Sequence, residues 1–130
     1  VVYHFNKQIN ATGELKLFSG CHGYDNGEQL RDFIFVDDII KLNLWMMNNS
    51  DVSGIYNAGT GTTHSFNDIA NIIIKRRKKG KIRYIQFPKA LDECYQSYTQ
   101  ANLKNLRSAG YEREFISIRK GINAYLDVLC

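Results

Sequence analysis

The chain's 130 residues carry a net charge of +4 and are 44% hydrophobic, which suits one packed core and excludes a disordered chain. No apolar run approaches the length of a membrane span, and no signal peptide opens the chain. Cys21, Cys94 and Cys130 are odd in number, far apart and without a C-x-x-C pair. That argues against a disulfide framework or a zinc site and fits a reducing, cytoplasmic setting. Val1 stands where a start methionine would, so the sequence reads as a piece of a longer chain.

Residues 1–10 space Val1, Val2, Phe5 and Ile9 as a helix. Tyr3 and Lys7 share one face at Y-x-x-x-K spacing, but a two-residue match with no nucleotide-binding half before it is weak grounds for catalysis. His4 lies on the same helix. A turn at Ala11–Glu14 leads to a strand over Leu15–Phe18. Ser19–Leu30 is polar, holds Gly20, Gly23 and Gly27, and reads as a loop of a length that is usually functional or mobile. Cys21 and His22 are adjacent, and no partner pair has metal-ligand spacing.

The next stretch, RDFIFVDD, changes period halfway. Phe33 and Phe35 suggest a short strand with Arg31 at its entrance. Asp37 or Asp38 then caps a helix through Ile39, Ile40, Leu44 and Trp45. An arginine held at a strand mouth can grip an anion with two parallel hydrogen bonds. The plainer alternative is a surface ion pair with Asp32 or Asp38.

Ser53–Gly61 reads as a strand into a glycine turn, and its lone G-x-G lacks the third glycine of a dinucleotide fingerprint. Ser65 and Asp68 form a capping box for a helix with Phe66, Ile69, Ala70, Ile73 and Ile74 on one face. Six of the seven residues Lys75–Lys81 are basic. Without interleaved aromatics they read as a solvated helix end with Gly80 as its C-cap rather than as a nucleic-acid patch. Ile82–Phe87 is a strand stopped by Pro88, and Lys89–Glu93 is a turn or short helix. Glu93–Gln100 is extended, and a short helix with Leu103 and Leu106 ends at Gly110. Ser117 caps a last helix whose face is Ile118, Ile122, Tyr125, Leu126 and Leu129. Repeated strand-then-helix steps make this an α/β domain with some parallel strands.

The segments RDFIFVDDIIKLNLW, VSGIYNAGTGTTHSFNDIA, KKGKIRYIQFP and YQSYTQANLKNLRSAGY together resemble the later part of the extended short-chain dehydrogenase/reductase family. The first two are shared by many of its nucleotide-sugar epimerases and dehydratases. The last two point to its ADP-heptose 6-epimerases, which supply lipopolysaccharide core precursors. The resemblance implies the later part of a Rossmann-like doubly wound sheet plus a small substrate-binding domain. Residues 1–130 would form a single fragment, with the cofactor-binding half outside it.

The chemistry implied is transient oxidation and re-reduction at carbon six of the sugar by NADP. The catalytic tyrosine and lysine would lie upstream, so Tyr3 and Lys7 are coincidental and this chain is expected to be inactive alone. Carried over onto this sequence, the family's ADP-sugar site maps to His4, to Phe18, Ser19, Gly20 and Cys21, to Arg31 on the diphosphate, and to Tyr95. A closed homo-oligomer is implied, with neither nucleic acid nor membrane as partner. Two departures stand out: the loop between Gly20 and Arg31 is longer than usual, and ECYQ lacks a basic residue before Tyr95. The alternatives are another nucleotide-sugar epimerase or dehydratase, or a non-catalytic binding domain.

Overall fold

The computed structural model describes residues 1–129. In chain order its elements are α1 (Val2–Thr12), β1 (Glu14–Phe18), β2 (Leu30–Arg31), α2 (Val36–Asn48), β3 (His64–Ser65), α3 (Phe66–Arg77), β4 (Lys81–Ile85), β5 (Tyr98–Thr99), α4 (Lys104–Ser108) and α5 (Ile118–Val128). A 3₁₀ turn, Lys89–Leu91, lies between β4 and β5. No helix among the described residues is long and apolar enough to cross a membrane.

Two small sheets organise the chain. β1 and β4 run parallel, with Leu17 opposite Tyr84. In the other, β2 lies between an antiparallel β3 and a parallel β5, so that Arg31 pairs with both His64 and Thr99. The α/β class with parallel strands is the one the sequence predicts.

Alternation decides which face of β1 is buried. Leu15 and Leu17 point inward and are almost wholly covered, while Lys16 is exposed. Against them pack Phe5 and Ile9 of α1, Ile69 and Ile73 of α3, and Ile122 and Leu126 of α5. α3 starts where the sequence places it: Ser65 accepts from Asp68 N while Asp68 accepts from Ser65 N. Ser117 likewise opens α5 by accepting from Lys120 N. A second cluster joins Leu42, Leu106 and Tyr111, with Trp45 and Phe115 against it.

Several local expectations are corrected. The strand predicted over Phe33–Phe35 is limited to Leu30–Arg31, because Phe33 turns edge-on to Phe66 and packs against the main core. Neither Asp37 nor Asp38 is the N-cap of α2: Phe35 holds that position and makes no side-chain bond. Asp38 is buried instead, accepting from Lys41 Nζ and from Ile116 N at 2.8 Å, and so ties α2 to the segment before α5. The buried residue of α2 on the apolar side is Leu42, while Ile40 and Leu44 are about half exposed. Ser53–Gly61 forms no strand. The helix α3 ends on Lys78 in the left-handed region rather than on Gly80. Gly80 sits where an added Cβ would come within 2.5 Å of Ile9.

Candidate functional site

The stretch from Phe18 to Arg31 leaves the end of one sheet and enters the middle of the other, so the site lies between them. Polar contacts hold that loop in place of an apolar core. Ser19 N donates to Ile85 O, and Ser19 Oγ accepts from Phe87 N, which fastens the end of β1 to the end of β4. Gly20 N donates to Asn26 Oδ1 at 2.8 Å. A Cβ on Gly20 would meet Tyr24 O at 2.5 Å, so glycine is required by the close approach. Gln29 is buried, and its amide donates to Ser19 O and to Cys21 Sγ. The N–H groups of Ser19 and Gly20 are therefore engaged within the chain.

Cys21–Tyr24 is a tight turn closed by Tyr24 N donating to Cys21 O. Its two central residues, His22 and Gly23, have φ of 51° and 82°, the positive pair that a hairpin turn of this hand demands. The turn throws the His22 ring back over the loop. Its Nδ1 lies 2.8 Å from Ser97 Oγ and its Nε2 lies 2.9 Å from Asp92 Oδ1.

Arg31 sits in the central strand of its sheet, and its guanidinium lies over the Tyr95 ring at 5.1 Å. One nitrogen donates to Leu30 O. Among the described residues no carboxylate is within ion-pair distance, so the predicted alternative of a pair with Asp32 or Asp38 is not formed. Asp32 is taken up elsewhere. It accepts from the N–H and hydroxyl of Thr60, from Gly61 N and from Ala101 N. Burial pushes the Asp32 carboxyl up, and those four donors outweigh it and hold the carboxyl below its ordinary range.

Tyr95 is the centre of an aromatic group. Phe87, Phe18 and His22 stand around it at ring distances of 5.0, 6.2 and 6.5 Å. Burial raises the Tyr95 hydroxyl, against the opposing pull of Arg31, so the phenol stays neutral and able to donate. The chemistry on offer is a guanidinium fork beside flat apolar rings, which suits an anion joined to a planar group.

The structure thus brings Phe18, Ser19, Gly20, Cys21, Arg31 and Tyr95 together. His4 stands apart on α1, exposed and edge-on to Tyr3, with no hydrogen bond or ring contact from the described residues joining it to that group. Sequence reasoning missed His22, Phe87, Gln29, Asp92 and Ser97. Only the turn chemistry of the His22-Gly23 pair offered a signal. Phe87, Asp92 and Ser97 bear on the site through contacts between segments far apart in sequence, and Gln29 through bonds within its own loop.

No group of acidic, histidine or cysteine side chains among the described residues has the geometry of a metal site. The amides of Thr60 and Gly61, the G-x-G turn, are engaged by Asp32 and do not form a phosphate cradle. The basic run at the end of α3 is partly absorbed into the fold. Arg76 pairs with Asp127, Arg77 donates to Asn6 and to Leu126 O, and Lys81 pairs with Glu14.

Comparison with known proteins adds to this geometry. The sequence profile described as the NAD dependent epimerase/dehydratase family matches residues 1–59. The chain is 46% identical, over 99% of its length, to an ADP-L-glycero-D-manno-heptose-6-epimerase of Alkalilimnicola ehrlichii, of which it covers 40%. It is 42% identical, again over 99% of its length, to an enzyme of that name from Thiobacillus denitrificans, covering 43% of it. Among solved structures, the Helicobacter pylori ADP-L-glycero-D-manno-heptose-6-epimerase superposes with a TM-score of 0.79 at 29% identity. The match takes in 98% of this chain and 37% of that one. The chain therefore spans about two fifths of the length of the curated relatives it matches, and its fold is shared with a solved epimerase.

Proposed function

We propose that this chain is the nucleotide-sugar-binding portion of an ADP-heptose 6-epimerase, residues 1–130 carrying the substrate side of the enzyme. The observation that carries the reading is Arg31. It is a guanidinium pinned between two strands, stacked on Tyr95 and free of any carboxylate among the described residues. Its remaining N–H groups suit the diphosphate, bidentate on phosphate oxygens. Phe18, Phe87 and Tyr95 offer apolar faces to the flat part of the ligand. The similarity of the whole chain to epimerases of that name supports the choice of an ADP-heptose over other nucleotide sugars.

The proposed inversion at carbon six calls for hydride exchange, chemistry that a nicotinamide cofactor, read here as NADP, would supply when bound. The residues of this chain do not fit that cofactor. The only G-x-G turn has its amides engaged by Asp32, and no other glycine loop of the described residues opens a long helix. Cofactor and catalytic groups accordingly belong to other residues of the protein, and what this chain does is bind and orient. Arg31 fixes the diphosphate, and Tyr95 with its neighbours closes over the ligand. A closed homo-oligomer completes the reading.

Arg31→Ala in the native-length protein is expected to weaken ADP binding by at least about tenfold, the scale of one charged hydrogen-bond pair. Isothermal titration measures it, and unchanged affinity would sink the diphosphate role. A second titration series with UDP, GDP and dTDP tests the heptose assignment, in which ADP should bind most tightly.

A further inference from the structure

We propose that His22 is a positioning residue for the nucleotide site, the tongue of a clasp formed with Ser97 and Asp92 that holds Tyr95 beneath Arg31. The inference rests on the ADP-sugar reading of that site and deepens it.

The geometry begins at the ring. Asp92 as a carboxylate only accepts, so the nitrogen facing it, Nε2, carries a hydrogen and donates at 2.9 Å. In the neutral ring Nδ1 is then the acceptor, and the Ser97 hydroxyl donates to it at 2.8 Å. Both nitrogens are engaged, and the plane of the ring is fixed. The fixed ring lies against Phe87 and Tyr95, at 6.0 and 6.5 Å.

Three separate segments meet at this one side chain: the loop after β1, the 3₁₀ turn that ends beside Asp92, and the strand-entry residue Ser97. Tyr95 lies between Asp92 and Ser97 in sequence. A histidine bonded to both flanks therefore sets where the intervening tyrosine stands. Ser97 is further anchored, since its carbonyl accepts from Leu30 N, next to Arg31. The clasp thus has one end on the Tyr95 segment and the other on the strand that carries the guanidinium.

The backbone supports a purpose for this side chain. His22 occupies the left-handed region, where a non-glycine residue is uncommon and strained relative to glycine. Glycine would satisfy the turn without that cost, so the imidazole is what the position retains. An aspartate, a histidine and a serine in line also suggest a nucleophile. Ser97, however, is only 9% exposed and Asp92 is at the surface, an arrangement that suits holding rather than attack.

The test uses the native-length protein and ADP as the probe, in isothermal titration. His22→Gly keeps the turn and removes the ring, and Asp92→Asn alters an exposed carboxylate with little risk to folding. His22→Gly is expected to raise the dissociation constant about five- to tenfold and Asp92→Asn about threefold, with unfolding temperature nearly unchanged. Asp92→Asn should add nothing in the His22→Gly background, a non-additivity that independent actions of the two residues would not produce. In turnover assays the same variants should raise KM and leave kcat alone. Affinity within twofold of wild type for His22→Gly, with Arg31→Ala still impaired, overturns the clasp and leaves the site reading intact. Additive effects of the two substitutions overturn it as well. Absent ADP binding by the wild type, or normal binding by Arg31→Ala, overturns the site reading and the clasp with it.

Discussion

The β1–β4 layer and the β2 sheet are both small, yet they are held by different physics. Around β1 the partners are Phe5, Ile9, Leu15, Leu17, Ile73 and Leu126, covered almost completely and without a polar group among them. Around β2 the holding groups are Asp32, Gln29, His22 and Ser97, each making named hydrogen bonds, those of Gln29 within its own loop and the others to a distant segment. Apolar packing is non-directional, so the first region depends on volume and total area. Hydrogen bonds are directional and costly to leave half made, so the second depends on individual atoms. On the proposed reading, keeping the Arg31 guanidinium in one place while the chain stays folded draws on both.

That contrast is open to direct tests. Leu126→Ala, at a position with no solvent exposure, should cost about 3–4 kcal/mol through lost transfer energy and a residual cavity. Urea unfolding measures it, and ADP affinity measured well below the transition should change little. A fall in affinity as large as the fall in stability would erase the distinction between the regions.

Asp32→Asn should cost less overall, about 2 kcal/mol, because an amide oxygen satisfies only part of the four donors. Its effect should appear in the acid limb. The folded Asp32 carboxyl lies below its ordinary value, so its contribution is complete above about pH 3.9 and is lost as pH falls through the folded value. Unfolding followed from pH 5 to pH 2 should therefore be steeper for the wild type than for Asp32→Asn. Equal slopes would show that Asp32 does not supply that acid dependence. The smallest change is expected at Tyr111, which is buried with a hydroxyl that has no hydrogen-bond partner among the described residues. Tyr111→Phe removes that orphaned group and should leave stability within about 0.5 kcal/mol or raise it slightly. A loss beyond about 1 kcal/mol would reveal a polar contact in the second cluster.

What the sequence made legible follows the same division. The faces of α3 and α5 are written in Ile69, Ile73, Ile122 and Leu126 at helical spacing, and Ser65 with Asp68 announces the start of α3. Periodicity reads apolar layers well because burial repeats with the element. Arg31 is legible as a candidate anion grip from its place at a strand mouth, while its diphosphate role and Tyr95 come from resemblance to a family. Their surroundings were hidden because no local pattern records that Asp32 will turn to Thr60 and Ala101, or that His22 will reach Ser97. Phe33 and Asp38 misled for a related reason. Each looks like the residue of a strand or a cap, and tertiary contacts with Phe66 and with Ile116 claimed it instead.

The pairing of β2 with β5 sets a timetable as well as a shape. Leu30 and Arg31 meet Tyr98 and Thr99, partners far along the chain, and such non-local contacts close slowly because the intervening loop must first be ordered. On the ribosome the cradle of Arg31 remains open until Thr99 has emerged, long after α1 and β1 are available to collapse. On the proposed reading, a chain halted before that point can own an apolar nucleus and still lack the anion grip, so competence to bind would be acquired late in synthesis.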